Sequence, residues 1–530
     1  SKIHRNSTMH EHCRGLAISV FLDALGYDDF DNVFDDLTGE RKAPEAQFLC
    51  TDQANAKRIA DTFGKSLIFI AGRPYSYDGA RYKYGEEDAF CKAMNLSKII
   101  KAEGDGYRSK KTKNSDEKKK NAELADALDK WAARSEMGQT ISAALNLAKK
   151  IMSVDASMVD ANPNLCNFLN CTVDLSTGRV RPHNPADLIT KISPVEYHPD
   201  AKCPAWDCAV GQIMLEHNTT DPEKVRFLQR WFGYALTGLT REQVFTVHYG
   251  GGRNGKSTII ETVMGIMGDY AAAAAPGLML SSKSQRHPTE IADLFGKRLV
   301  TASETDEGGV LREDFIKQAT GGDTLKARHM GKDFFDFTAT HKLQLMTNHK
   351  PGVKGQDEGI WRRILFIAYL AKFGTPEEVA SGNANFVRDN TLSDRLAAEK
   401  EGILAWMVRG AVDWYQSGLG VPRSILDDSR QYQKEQDRVL QFVEEVCELN
   451  QDYTCYLTAG ADNGIFPAYG RWCKHGGFFP LQKNNFVERL AMCVPHFKKT
   501  DSKIPTGDGS VGRRSVVVLH GLRFINEWEL

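Results

Sequence analysis

Residues 246–258 read TVHYGGGRNGKST, and this stretch decides the fold. The residues that lead into it, Val244, Phe245, Thr246 and Val247, are apolar or β-branched and predict a buried strand. A glycine cluster follows, and then the apolar segment 259–264, which is typical of a helix. The pattern therefore predicts a strand, a tight loop and a helix in direct succession.

The glycine-rich loop has the chemistry of a phosphate-binding site, because it carries G-x-x-x-x-G-K-[ST] between a strand and a helix. Glycines let successive backbone N–H groups turn inward without a Cβ clash, and the helix adds the positive end of its dipole. At this spacing a lysine reaches the β- and γ-phosphates and a serine hydroxyl ligates Mg²⁺. We therefore expect ATP and Mg²⁺ to be bound by Gly250, Gly251, Gly252, Arg253, Asn254, Gly255, Lys256, Ser257 and Thr258.

The composition is that of a protein with several domains and no strong overall charge. A chain of 530 residues predicts about three or four domains. Its 68 basic and 69 acidic residues give a net charge of −1, so any nucleic-acid surface must be local. No apolar run approaches the ~20 residues of a membrane span, so we expect no membrane partner. The odd count of eleven cysteines suits a reducing environment, and we expect a cytoplasmic location.

Two cysteine pairs require an interpretation. Cys166 and Cys171, and then Cys203 and Cys208, share the spacing C-x-x-x-x-C. Structural zinc usually prefers tighter spacing, and Trp206 lies within the second pair. We therefore favour packing over a zinc site.

A tyrosine-rich stretch follows a predicted helix and strand in the first hundred residues. Tyrosines alternate around Asp78-Gly79, a pair typical of a hairpin tip, with Arg73, Arg81 and Lys83 beside them. The tyrosines could stack on bases, but a half-buried hairpin is the favoured interpretation.

A basic segment, residues 108–120, reads RSKKTKNSDEKKK and contains no apolar residue. A solvated loop is the favoured interpretation, and an arm that contacts phosphates is the alternative. The apolar positions of residues 122–151 then predict one amphipathic helix.

Two further strand patterns end in polar residues. The strand over 297–303 leads to Glu304, and the strand over 341–346 leads to Asn348. In a P-loop sheet an acid at a strand's carboxyl end faces the phosphates across Mg²⁺ and can polarise the attacking water. We assign this role to Glu304, with Asp306 as its helper or alternative. Asn348 is expected to orient the water or sense the γ-phosphate.

Residues 321–335 predict a hairpin with basic residues around a glycine at its tip. Such a loop could grip a sugar–phosphate backbone, braced by an aromatic side chain. The candidates for DNA contact are Lys332, Arg328, His329 and Phe334, with Phe335 as an alternative brace.

Paired arginines, Arg362 and Arg363, stand just before another strand pattern. A planar and always-charged guanidinium suits a finger that reaches the γ-phosphate held by a neighbouring subunit. A finger that acts on a neighbour requires a closed ring, and we expect a hexamer.

In these motifs the chain resembles the superfamily-three helicases, specifically the helicase half of phage and plasmid primase–helicases and the poxvirus-type NTPase/primase. The matching stretches are GGGRNGKST at 250–258, KRLVTASETDE at 297–307, IKQATGGDTLKARHMGKDFFDF at 316–337, LQLMTN at 343–348 and WRRILFIAY at 361–369. CTVDLSTGRVRPH at 171–183 and AKCPAW at 201–206 are similar to the domain that precedes the ATPase in these proteins.

The resemblance implies the following roles. Lys256 and Ser257 would hold phosphate and Mg²⁺, and Glu304 would be the Walker B acid that shares the metal. Asn348 would be the sensor, and Arg363 with Arg362 would be the finger. Lys332 would lie at the tip of a DNA-gripping hairpin, beside Arg328 and His329. Thr305 follows Glu304, where other branches of the superfamily carry a second acid, so the identity of any second acid stays open.

The resemblance also implies an α/β fold with a P-loop AAA+-like ATPase core. We divide the chain into an N-terminal appendage or linker (1–45), a helical and mixed domain (46–240), the superfamily-three ATPase core (241–375), a helical lid or linker (376–435) and a winged-helix-like domain (436–530). The last combines helices with a strand at 515–519 and a basic loop, which favours DNA binding, with protein docking as the alternative.

The expected function is that of an ATP-dependent, ring-forming DNA helicase in phage or mobile-element replication. The resemblance implies 3′→5′ movement on single-stranded DNA through a central channel, and forked DNA and a primase or polymerase as partners. Priming itself is not expected, since no primase-like motif is evident. The alternative is a replication-initiation scaffold or loader ring that does not separate strands.

Overall fold

The computed structural model describes residues 46–281, 288–304, 308–331, 333–355, 358–458, 464–505 and 513–525. Within them the fold is mixed α/β and contains a five-stranded parallel sheet, as the α/β prediction requires. The predicted appendage 1–45, Asp306, Lys332 and the side chain of Glu304 lie outside the described part. None of the described helices combines the length and the apolar character of a membrane span.

The N-terminal part is a helical unit with a small sheet. Its elements are α1 (Ala46–Leu49), α2 (Asp52–Phe63), β1 (Leu67–Ile70), β2 (Arg73–Tyr77), β3 (Tyr82–Tyr84), α3 (Glu86–Ala93), α4 (Leu96–Ser109), α5 (Ser115–Arg134), α6 (Gly138–Ile151) and β4 (Ser153–Val154). The sheet order is β3-β2-β1-β4, and β2 and β3 form the predicted hairpin. Tyr82 is buried and its ring lies 5.2 Å from that of half-buried Tyr77, which confirms the half-buried hairpin.

The single helix predicted over 122–151 is wrong, because the chain turns between α5 and α6. Ser135 ends α5 in a buried position, where its hydroxyl accepts a hydrogen bond of 3.0 Å from the Asn55 amide of α2. The turn lays α6 against α2. The spacing of apolar residues cannot predict this end of a helix, because a long-range hydrogen bond determines its position.

A middle segment links the N-terminal unit to the main sheet. It contains β5 (Leu165–Asn167), β6 (Thr172–Asp174), β7 (Arg179–Arg181), α7 (Pro204–Ile213), β8 (Leu215–Glu216), β9 (Thr219–Thr220) and α8 (Pro222–Leu236). Trp206 of α7 and Trp231 of α8 are fully buried in one apolar cluster that extends to the main sheet. The middle segment therefore shares its core with the unit that contains the main sheet.

The main sheet positions the candidate site. Its elements are β10 (Phe245–Tyr249), α9 (Lys256–Met267), β11 (Ala271–Ala273), α10 (Thr289–Ala292), β12 (Leu299–Glu304), α11 (Glu313–Gly321), β13 (Thr324–Arg328), β14 (Phe334–Thr338), β15 (Lys342–Thr347), α12 (Glu358–Trp361) and β16 (Ile364–Ala368). The parallel strands follow the order β11-β12-β15-β10-β16, and β13 pairs with β14 as the predicted hairpin. The strand before the glycine loop therefore lies between β15 and β16, inside the sheet.

Two buried cations fasten the sheet to the middle segment. Arg298 donates to the carbonyl oxygens of Leu236 (2.6 Å) and Leu165 (2.8 Å). The ammonium of Lys342 donates to the carbonyl oxygens of Thr237 and Leu239. Both side chains are buried, so these carbonyls satisfy charges that water does not reach.

The remaining chain is largely helical and ends in a small α/β unit. Its elements are β17 (Phe373–Gly374), α13 (Pro376–Ala380), β18 (Phe386–Val387), α14 (Leu392–Ala398), α15 (Lys400–Ser417), α16 (Arg423–Gln436), α17 (Arg438–Val446), β19 (Cys447–Tyr456), α18 (Ile465–His475), α19 (Lys483–Cys493), β20 (Lys498–Pro505) and β21 (Arg513–Phe524). The last three strands form a sheet in the order β19-β21-β20. A separate apolar core joins them to α17, α18 and α19.

Residues 427–438 are highly polar, a composition typical of a linker, yet most of them form the second half of α16. Tyr432 is fully buried, and its hydroxyl donates to the carbonyl oxygen of Pro351. Lys350 pairs with Glu435 at 2.5 Å. The buried Tyr432 and the ion pair therefore hold α16 against β16. The polar composition of this helix alone would have indicated a solvated segment.

Candidate active site

The carboxyl ends of three neighbouring strands form one row. The register of the parallel sheet places Tyr249 of β10 beside Thr347 of β15, and Thr347 beside Glu304 of β12. Asn348 follows Thr347 directly, and the glycine loop follows Tyr249. The structure therefore brings together at one edge the loop, the acid and the amide that the sequence motifs predict.

The glycine loop has a backbone that only glycine accommodates at two positions. Gly255 has a φ of +77°, and a Cβ atom there would lie 2.4 Å from the Cδ1 atom of Ile213. A Cβ atom on Gly250 would lie 2.0 Å from the Nδ2 atom of Asn254. These contacts keep the loop narrow and direct its backbone toward the first turn of α9.

Lys256 begins α9 and is almost fully buried. Its ammonium donates to the carbonyl oxygen of Thr347 (2.7 Å), to Oδ1 of Asn348 (3.0 Å) and to the carbonyl oxygen of Gly250 (3.3 Å). These three acceptors are neutral, and burial lowers the pKa of Lys256 to about 8. A cation that is held only by neutral groups at a desolvated loop is suited to an anion.

Asn254 supplies the direct test of whether the loop fits phosphate. Its Oδ1 atom accepts a hydrogen bond from the backbone N–H of Lys256 at 3.3 Å, while its buried Nδ2 has no partner in the described part of the chain. An unpaired buried donor is costly, and a phosphate oxygen would satisfy it. Ser257 in the first helical turn is exposed, so its hydroxyl is accessible to a metal ion. The residues present therefore fit a nucleoside triphosphate with Mg²⁺.

A strap formed by residues 372–388 crosses the glycine loop. Arg253 of the loop has a φ of +51°, and its guanidinium pairs with both carboxylate oxygens of Glu378 in α13, at 3.0 and 3.1 Å. The backbone N–H of Phe373 donates to the carbonyl oxygen of Arg253 at 2.8 Å. Glu378 was not predicted as a site residue, since nothing in the local pattern of α13 relates it to a loop 125 residues earlier.

A buried histidine under the loop was also missed as a site residue. The two ring nitrogens of His248 hydrogen-bond the hydroxyls of Tyr369 (2.8 Å) and Thr246 (2.9 Å). Burial lowers the pKa of His248 to about 3, so the ring is neutral. A histidine at the end of a buried strand was a visible signal, and its role is to brace β10 against the end of β16.

The paired arginines point to different surroundings. Arg363 is buried, and its guanidinium donates to the Thr320 hydroxyl (3.2 Å) and to the carbonyl oxygen of Gly359. Arg362 is exposed. The predicted finger must reach a neighbouring subunit, so in this conformation its geometry favours Arg362 over Arg363.

The hairpin β13–β14 presents the predicted basic and aromatic residues. The guanidinium of Arg328 lies 4.8 Å from the ring centre of Phe334, and His329 stacks on Phe335 at 5.2 Å. Both candidate braces, Phe334 and Phe335, therefore contact a basic side chain. Phe334 is in addition half exposed. The predicted tip residue, Lys332, lies outside the described residues.

The four cysteines with paired spacing do not share a ligand-like arrangement in the described part of the chain. Cys166, Cys171 and Cys203 are buried, and only Cys208 is exposed. Burial raises the pKa values of Cys166 and Cys171 to about 11 and that of Cys203 to about 12, which disfavours the thiolate that zinc requires. One exposed group, formed by Glu196, His198 and Glu401, has ligand spacing but is otherwise ordinary surface.

Comparison with known proteins adds family evidence for both parts of this arrangement. Residues 56–215 match the family model described as D5 N terminal like, and residues 248–363 match a family of unknown function, DUF5906. A protein named as a putative helicase in Acanthamoeba polyphaga mimivirus is 28% identical over 296 residues, which is 54% of this chain and 30% of that protein. A protein named as a putative primase in African swine fever virus is 22% identical over 331 residues, 59% of this chain and 34% of that protein. The resemblance to phage and viral primase–helicases is confirmed.

The primase–helicase resemblance covers only part of those relatives, because the chain spans about a third of their length. Among solved structures, an apo form of the C-terminal region of NrS-1 is similar over 73% of this chain and 76% of that one. Its sequence identity is 12% and its TM-score is 0.44.

Proposed function

We propose that this chain is an ATP-dependent DNA helicase motor of the superfamily-three type, with an AAA+-like core, that works as a ring in viral or phage DNA replication. The observation that carries the proposal is the row at the sheet edge, where Lys256 contacts Asn348 at 3.0 Å and Glu304 pairs in register with Thr347. A phosphate-binding lysine, an acid and an amide on adjacent strand ends are the parts that nucleoside triphosphate hydrolysis needs. Viral relatives named as a putative helicase and a putative primase support a nucleic-acid substrate, for which we propose DNA.

Each of these side chains has a distinct task. ATP with Mg²⁺ supplies the γ-phosphoryl group and the charge that polarises it. Lys256 holds the phosphates, Ser257 and Glu304 hold the metal, and Asn348 orients the attacking water. The exposed Arg362 is the finger that completes the site of a neighbouring subunit.

The DNA-binding parts of the proposal are the hairpin β13–β14 and the C-terminal unit. In the hairpin Arg328, His329, Lys332 and Phe334 grip single-stranded DNA, and travel is 3′→5′. The C-terminal unit is proposed to be winged-helix-like, since α17, α18 and α19 pack on a hairpin formed by β20 and β21. The first turn of α19 exposes Lys483, Asn484 and Asn485, which suits contact with duplex DNA.

Strand displacement on a forked DNA substrate tests the proposal. Wild-type protein should unwind the fork only with ATP, with a 3′ tail required, and Lys256→Ala should lose ATP turnover. A protein that hydrolyses ATP and forms rings on DNA without separating strands would instead be the loader or scaffold. A protein that remains monomeric with ATP and DNA, yet hydrolyses ATP at the full rate, would contradict the motor.

The hairpin is tested separately. Lys332→Ala should retain substantial ATP turnover and lose unwinding, because it removes a DNA contact and leaves the phosphate site intact. Lys326→Ala is the matched control, since Lys326 is exposed on β13 away from the tip. Normal unwinding by Lys332→Ala would show that the hairpin assignment is wrong.

A further inference from the structure

The tip of the helical hairpin formed by α4 and α5 is the most concentrated positive surface in the described part of the N-terminal unit. Six exposed lysines lie within eleven residues at this tip, which we call the lysine tip: Lys110, Lys111, Lys113, Lys118, Lys119 and Lys120. The chain as a whole has a net charge of −1, so this concentration is local.

The lysine tip keeps a net positive charge despite the acids around it, because residues 108–120 contain seven basic residues against two acids, Asp116 and Glu117. The guanidinium of Arg108, at the end of α4, pairs with Asp105 (3.1 Å), Asp126 (3.2 Å) and Asp129. This arginine therefore offsets one of the three negative charges at the base of the hairpin. None of the six lysines forms an ion pair with another described residue, which leaves their charges available to a partner.

The loop that carries the lysine tip has a defined conformation. The side chain of Asn114 caps α5 by accepting from the backbone N–H of Asp116 at 3.0 Å. The Thr112 hydroxyl accepts from the backbone N–H of Asn114 at 3.1 Å and donates to Glu117. The lysines are therefore displayed on an ordered turn, which lowers the entropic cost of binding.

The chemistry of the lysine tip excludes most classes of partner. Residues 108–120 contain no apolar side chain, whereas protein interfaces depend on buried aromatic and apolar anchors and are depleted in lysine. They also contain no aromatic ring on which unpaired bases could stack, and the ring of Tyr107 is covered by Lys110 at 4.5 Å. Lysine charges without apolar anchors or aromatic rings are suited to a partner with regularly spaced negative charges, such as a nucleic-acid backbone.

We propose that the lysine tip binds the phosphate backbone of duplex DNA without sequence preference. It would hold the unopened duplex of the fork while the hairpin β13–β14 holds the separated strand. The inference rests on the proposed helicase function for its substrate, and it adds a third DNA contact, in the N-terminal unit, to those proposed for the hairpin β13–β14 and the C-terminal unit.

Duplex-binding measurements over a series of salt concentrations, with the full chain and no nucleotide, test this inference. The tip variant carries Lys111→Gln, Lys113→Gln, Lys118→Gln and Lys119→Gln. The control variant removes the same charge from scattered exposed lysines of the same unit, as Lys65→Gln, Lys98→Gln, Lys130→Gln and Lys150→Gln. Each lost phosphate contact reduces the slope of log K against log salt by about one.

The tip variant should bind duplex on the order of tenfold to a hundredfold more weakly at low salt, with a slope smaller by about two to four. The control should change both quantities little, and binding of single strands should be nearly equal in all three proteins. Equal duplex affinity and slope in the tip and control variants would overturn the inference. Absence of any DNA binding by the wild type would instead contradict the proposed function, and an unchanged melting temperature confirms that the variants are folded.

Discussion

The ammonium nitrogen of Lys256 lies 3.0 Å from the Oδ1 atom of Asn348. Its other two acceptors are the backbone carbonyls of Thr347 and Gly250, so the lysine spans the ends of two neighbouring strands. A phosphate group would compete with these acceptors for the same ammonium. Binding of nucleotide should therefore change the position of Asn348 as well as that of the lysine.

Nucleotide binding should be accompanied by proton uptake above neutral pH. Burial lowers the pKa of free Lys256 to about 8, and a bound phosphate would raise it because the charged form gains a counter-ion. At pH 8.5 much of the free protein lacks this proton, so binding takes it up; at pH 6.5 the lysine is already charged and uptake disappears. Calorimetry in buffers of different ionisation enthalpy measures the number of protons taken up on binding. Binding heats at pH 8.5 that do not depend on the buffer would contradict it.

Breaking the ion pair between Arg253 and Glu378 should weaken nucleotide affinity more than stability. Both side chains are partly exposed, so the pair contributes little to folding. It fastens the strap over the glycine loop, and Glu378→Arg should therefore raise the nucleotide Kd several-fold with a melting temperature close to that of the wild type.

The charge-swapped double variant, Arg253→Glu with Glu378→Arg, is the control for that prediction. It restores a pair of opposite charges, and it should recover part of the affinity that the single variant loses. An affinity equal to that of the wild type in Glu378→Arg would show that the strap does not act on the site.

Replacement by alanine should affect mainly stability at Arg363 and mainly ATP turnover at Arg362. Arg363→Ala removes a buried guanidinium and leaves buried acceptors unpaired, which should cost about 1–3 kcal/mol of unfolding free energy. Arg362→Ala should change stability by less than ~0.5 kcal/mol because the side chain is exposed. It should nevertheless abolish ATP turnover, which depends on the finger from a neighbour.

Mixing Arg362→Ala with Lys256→Ala provides the control for the finger. Neither protein hydrolyses ATP alone, but a mixed ring contains interfaces that combine an intact loop with an intact arginine. Turnover should reappear in the mixture. Full turnover by Arg362→Ala on its own would remove this residue from the mechanism.

The unit that contains the main sheet should lose stability as pH falls below about 6.5. Burial lowers the pKa values of both His248 and His341 to about 3, whereas in the unfolded chain both are near 6.5. Between these values the unfolded state binds more protons, so unfolding free energy falls by up to about 1.4 kcal/mol per histidine and pH unit. Above pH 6.5 this loss is absent.

Replacing His341 isolates one contribution to that loss. Neither ring nitrogen of His341 has a hydrogen-bond partner in the described part of the chain, so His341→Met removes a buried polar group and a titrating site together. Denaturant unfolding at pH 5 and at pH 7.5 should show a smaller difference for the variant than for the wild type. An equal difference would mean that other groups cause the acid sensitivity.

The local motifs were readable from the sequence, because their chemistry depends on nearest neighbours along the chain. The strand, loop and helix around Gly255 and the strands that lead to Glu304 and Asn348 are where the patterns place them. Glu378 was not predictable, since its relation to Arg253 depends on how residues 372–388 fold back over the loop. The turn at Ser135 and the burial of Tyr432 were missed for the same reason: each is decided by one long-range contact.

The contacts between the main sheet and the middle segment, including those of Arg298 and Lys342, determine where a shorter stable fragment of the protein can begin. A fragment that begins at residue 241 would lose the acceptors at Leu165, Leu236, Thr237 and Leu239, together with Trp206 and Trp231 of the apolar cluster that the middle segment shares with the sheet. The cut would expose to water the apolar side chains of α9 and of the sheet that pack on this cluster, at a cost of several kcal/mol, enough to offset most of the stability of a small domain. The smallest autonomous ATPase should therefore begin upstream of Leu165, well before its first recognisable motif.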